Sequence, residues 1–133
     1  MDTSDFYDEY IASELDACVS LRFEKICKQY LINNYQSRNK EAVMAIGRYW
    51  YNDKLTKRDI EIDQCVKTKN HIHIYECKWT SDKIGKSVMN GLQEKGKHLE
   101  ATLFGAFSKS GFTNDIQHSG FDLVSIDDLF KTR

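Results

Sequence analysis

The stretch Arg58–Trp79, RDIEIDQCVKTKNHIHIYECKW, restricts the possible folds more than any other part of the chain. It predicts two β-strands joined by a tight turn at Lys67–Asn70, and it carries Asp63, Glu76 and Lys78. Twelve residues separate Asp63 from Glu76, and one separates Glu76 from Lys78. Side chains alternate along a strand, so Glu76 and Lys78 share a face, roughly 6–7 Å apart along it. A two-residue loop at Lys69-Asn70 would set Asp63 directly opposite Glu76. A four-residue loop at Lys67–Asn70 would set Asp63 opposite Ile74, one diagonal step from Glu76 on the same side. Only a one-residue slip would separate the groups. Two carboxylates beside an ammonium make a candidate Mg²⁺ site with a cationic partner for water or phosphate.

The flanking sequence places this hairpin in a larger pattern. From Ser20 onward, SLRFEKICKQYLINN has apolar residues three and four apart, which predicts an amphipathic helix starting near Ser20. Further apolar positions, Tyr10, Ile11 and Leu15, precede it. Glu24 lies near the edge of the buried stripe, either a solvated acid or a third carboxylate aimed at the site. Asn33–Lys40 reads as a loop, and EAVMAIGRYWYN as a strand in which Gly47 marks a bulge or a close backbone approach. Asn52-Asp53-Lys54 signals a turn, so three strands follow one another as a meander. The segment SDKIGKSVMNGLQEKGKHLEATL then has Ile84, Val88, Leu92 and Leu99 at helical spacing, with Ser81 or Asp82 as N-cap. Its glycines weaken the helix, so packing must support it. ATLFGAFSKSGF reads as a fourth strand ending at Gly111, TNDIQHSG as a short helix or loop, FDLVSI as a last strand, and Asp127–Thr132 as a helical turn. The predicted order is α-β-β-β-α-β-(α)-β in a single domain, residues 1–133.

Composition narrows the functional classes. Hydrophobic residues at 41% and charged residues at 29% fit a globular chain and exclude a disordered one. No apolar run approaches the roughly 20 residues that span a bilayer, and the acidic start MDTSDFYDEY is unlike a signal peptide, so a cytoplasmic location without membrane contact is expected. A net charge of −1 supplies no global attraction to nucleic acid, which counts against a simple binding module and less against a nuclease. Cys18, Cys27, Cys65 and Cys77 form no CxxC pair and read as reduced, mostly buried thiols. No GxxxxGK[ST] loop is present, so the chain is not itself a P-loop ATPase. His71 and His73 read as exposed strand polars, Trp50, Tyr75 and Trp79 as core aromatics. Ser108, Ser110, His98 and His118 lack the context of a serine hydrolase.

Lys78 shares a strand face with Ile72, Ile74 and Glu76, where an unpaired lysine would be costly to bury. The alternative is a surface salt-bridge cluster, which contributes little. Taken together, RFEKIC, IGRYWY, EIDQCV and IYECKW resemble the PD-(D/E)XK nuclease superfamily, and more closely the nuclease-like domain of unknown function at the C-terminus of archaeal-type P-loop ATPases. The resemblance runs from about Tyr10 to Phe130, through SKSGF and FDLVSIDDL. It implies a restriction-endonuclease-like α/β fold, a mixed central sheet with helices on both sides. It implies that Asp63 is similar to the metal-binding Asp, Glu76 to the second acid, Lys78 to the catalytic lysine and Glu24 to the acid of the first helix, with the carbonyl of Cys77 as a further metal ligand. Ile62 stands where the superfamily usually has proline.

The implied function is Mg²⁺- or Mn²⁺-dependent hydrolysis of a DNA phosphodiester. The competing class is a catalytically inactive module that regulates or docks a partner ATPase or binds nucleic acid. Lys83, Lys86, Lys95 and Lys97 form the expected basic face for DNA. With 19 basic residues offset by 20 acidic ones, the isolated chain should hold DNA weakly and lose it as salt rises. A second copy in a homodimer, or a P-loop ATPase module in cis or trans, would supply further contacts.

Overall fold

Three strands rich in β-branched and aromatic residues, β1 (Val43–Asp53), β2 (Arg58–Thr68) and β3 (Ile72–Lys78), pair antiparallel in sequence order. The structure is a computed structural model; it describes the backbone of residues 3–37 and 42–130 and the side chains of 18–36 and 42–130. The β2–β3 turn is the two-residue one. Thr68 N–H donates to the His71 carbonyl at 3.0 Å, and the Thr68 hydroxyl accepts the His71 N–H at 3.0 Å. The register therefore runs from Lys67↔Ile72 to Gln64↔Tyr75. At the other hairpin, Asp53 Oδ1 accepts the Leu55 N–H at 3.0 Å, and Lys57 closes the turn at φ 55°.

β3 continues through α2 (Lys86–Lys97) into β4 (Leu103–Ser108), which lies parallel to it. A 3-10 turn at Asn114–Ile116 leads to β5 (Asp122–Ser125), parallel to β4, and then to α3 (Ile126–Leu129). The result is an α/β fold with a mixed five-stranded sheet in the order β1-β2-β3-β4-β5. Helix α1 (Thr3–Ser37) covers one face through Phe23, Cys27 and Leu31, which pack on Val66, Tyr75, Phe107 and Val124. Helix α2 covers the other through Met89 and Leu92, against Ile62, Ile74 and Ala106. Gly96 lets α2 approach closely: a Cβ there would stand 2.5 Å from the Phe104 ring.

Several sequence expectations are corrected. α1 begins at Thr3, not near Ser20, and extends through Asn33–Ser37, so the described part of the loop expected at Asn33–Lys40 is helical. No proline or glycine interrupts residues 3–37, so nothing stops the helix. The side chains of Tyr10, Ile11 and Leu15, residues 38–41, and 131–133 lie outside the described residues. α2 starts after Gly85, with no side-chain cap from Ser81 or Asp82, because Ile84 is held in a parallel bridge to Phe112. β4 ends at Ser108, whose hydroxyl accepts the N–H groups of Ser110 and Gly111. Trp50 lies 64% exposed on β1 rather than in the core, and Cys18 is exposed while Cys27 is buried. Among the described residues, no helix is long and apolar enough to cross a membrane.

Candidate active site

The β1–β2 pairing breaks between Gly47↔Cys65 and Tyr49↔Ile62, so Asp63 and Gln64 together oppose Arg48. The extra residue is on β2, next to the glycine that flags the bulge from β1. A Cβ on Gly47 would meet nothing within 4 Å, so the close-approach reading of that glycine is dropped. The bulge interrupts strict alternation: Val66 packs with the α1 side, yet Ile62, four residues away, packs with the α2 side. Parity alone therefore does not set the direction of Asp63.

On the other side, the last β2–β3 pair is Gln64↔Tyr75, and the next step of that register sets Asp63 across from Glu76. Here the Asp63 Oδ2 accepts the Cys77 N–H at 2.9 Å, a side chain continuing where the backbone ladder stops. Glu76 is 13% exposed; Lys78 Nζ lies 3.5 Å from its Oε1 and Lys95 Nζ 3.9 Å from its Oε2. Burial, then the Asp63 charge, pushes the Glu76 carboxyl above its ordinary value, with Lys95 and Lys78 opposing. Burial and then Asp63 raise Glu24 likewise, and Arg48 opposes from 3.3 Å. Asp63 thus acts on an acid of α1 and an acid of β3.

The basic face read from sequence is not one surface. Lys83 precedes α2, and at 3.6 residues per turn Lys86 and Lys97 share one side of the helix while Lys95 lies about 180° from Lys86. Lys97 pairs with Glu94 at 2.8 Å in solvent, whereas Lys95 turns to Glu76. Arg48 and the inward role of Lys95 were missed because both depend on contacts between distant segments. His73 is not a simple exposed polar: its Nδ1 lies 2.6 Å from the Tyr35 hydroxyl, on the sheet face opposite Glu76.

A divalent cation fits these residues in a restricted way. Among the described residues, no group of three or more His, Cys, Asp and Glu side chains is arranged to hold a metal ion. Of Asp63, Glu76 and Glu24, the last has its Oε1 paired with Arg48 at 3.3 Å. Two carboxylates suffice for Mg²⁺, which keeps several waters and takes its remaining oxygens from phosphate. Gln64 beside Asp63 is 4% exposed and ties β2 to α1: its Nε2 donates to the Glu24 carbonyl at 3.0 Å.

Fold and site define an α/β domain that gathers two acids and two lysines where strands β2 and β3 part. The chain belongs to DUF234, a family of archaeal and bacterial proteins of unknown function whose model matches residues 1–94. The crystal structure of a protein of unknown function, AF1548, is similar with a TM-score of 0.51 and 11% identity, over 73% of this chain and 55% of that one. This chain therefore spans about half the length of that neighbour, and at such identity the likeness concerns the fold alone. No curated protein matches.

Proposed function

We propose that this domain is restriction-endonuclease-like and hydrolyses DNA phosphodiesters with Mg²⁺ or Mn²⁺. The observation that carries this reading is Asp63 across from Glu76, with Lys78 on the Glu76 carboxylate. Asp63 and Glu76 would hold the ion, with the carbonyl of Cys77, the residue between Glu76 and Lys78, as a further ligand. When bound, the ion would polarise the phosphate and lower the pKa of a water. Lys78 orients that water or stabilises charge on the phosphorane. Asp63 stays in place through the Cys77 N–H.

The non-catalytic reading, a module that docks an ATPase or a nucleic acid, draws on a different observation. Each acid already has an internal partner: the Cys77 N–H, Arg48, or Lys78 and Lys95. Incubation with DNA and RNA substrates in Mn²⁺ and in EDTA, repeated with Lys78→Ala, separates the two. The expected result is cleavage of DNA only with metal and lost in the variant. Absence of cleavage of every substrate would leave the docking reading standing.

A further inference from the structure

We propose that Lys95 is a phosphate-binding residue of the site, kept on Glu76 until metal arrives. This rests on the metal-dependent reading above and assigns a residue on α2 to it. Lys95 is one of two ammoniums on a single carboxylate, reaching Oε2 while Lys78 reaches Oε1. Its helix face is turned inward, away from Lys86 and Lys97, and its side chain is 33% exposed against 73% for Lys97. The backbone there is fixed from two directions. The Tyr51 hydroxyl donates to the Lys95 carbonyl at 3.2 Å, and the Tyr51 ring stacks on His98 at 4.0 Å between centroids.

Lys95 also lines a cleft of about 660 Å³ between the β1–β2 hairpin and α2, with Tyr51, Arg58 and Gly91 among its walls. The same walls carry Asp53, which accepts the Leu55 N–H, Asp59, which accepts from Asn52, Glu94, which pairs with Lys97, and Glu61. Lys95 therefore stands between Glu76 and open space. A cation that takes over Glu76 displaces the ammonium, whose nearest use is a non-bridging oxygen of the phosphate the site receives.

The two roles give Lys95→Met opposite effects on two ligands. Titration calorimetry with Mn²⁺ should show binding about two- to fivefold tighter, since a competing cation of ion-pair strength is removed from Glu76. Anisotropy with a short DNA duplex in Ca²⁺ should show weaker binding, with the salt slope reduced by about 1. Lys97 pairs through its ammonium with Glu94, so Lys97→Met should leave Mn²⁺ binding unchanged, and thermal melting verifies that both variants fold. Weakening of both ligands would make Lys95 merely structural, and no change in either would place it outside the site; both overturn the proposal. Wild-type protein that binds no Mn²⁺ would instead overturn the metal-dependent reading itself, and this inference with it.

Discussion

Tyr75→Phe should destabilise the domain well beyond the usual effect of removing one oxygen. Tyr75 on β3 pairs with Gly105 on β4, which pairs with Asp122 on β5. The ring crosses the glycine, and its hydroxyl donates to Asp122 Oδ2 at 2.7 Å while lying 3.1 Å from the Tyr35 hydroxyl. Tyr75 is fully buried, so water does not replace these bonds on the phenol. Loss of a bond to a charged group costs about 1.5–3 kcal/mol and a neutral bond about 0.5–1.5 kcal/mol. Asp122 is only half-buried and recovers part of its loss through solvent, which brings the sum to about 2–3 kcal/mol. At ~2.1 cal/mol/K per residue, 133 residues give about 0.28 kcal/mol/K, so Tm should fall by about 7–11 °C. Circular-dichroism melts and urea titrations on both proteins measure this, with Tyr49→Phe as a partly exposed control expected within about 0.5 kcal/mol of wild type. A Tyr75→Phe melt within about 2 °C of wild type would refute the linkage of β3 to β5 through this hydroxyl.

Glu76 should make stability depend on pH. Its carboxyl is raised in the folded state by burial and by Asp63, so the unfolded chain gives up its proton first. Stability from this group is full below pH 4.5 and is lost as pH rises through the elevated folded value; urea midpoints across that range should fall less in Glu76→Gln than in wild type. Gly105→Ala should cost about 3 kcal/mol, the upper end for overpacking, because a Cβ overlaps the Tyr75 ring and the Asp122 backbone carbonyl together. A melt of that variant close to wild type would show that β4 can shift.

Local pattern alone made much of this protein legible. Alternation in Arg58–Trp79 and the polar Lys69-Asn70 turn fix two strands and restrict their register to a pair of choices, in both of which Asp63 comes near Glu76. The order of helices and strands along the chain followed from the same periodicity, because each element signals its own kind within a few residues, whereas the mixed sheet was implied only by the family resemblance. Spacing also put Lys78 on the face of Glu76, since i and i+2 cannot separate on a regular strand.

The tertiary structure decided what depends on residues far apart in the chain. It chose the two-residue turn and placed the extra residue of the bulge on β2, so the direction of Asp63 comes from the Cys77 amide and not from parity. It turned Lys95 inward, dividing what looked like one basic face, and joined Arg48 to Glu24. It left Trp50 64% exposed on β1, the strand at the edge of the sheet. Helical phase and strand alternation say which side of an element a residue occupies; which other element meets that side is set by how the whole chain closes its core.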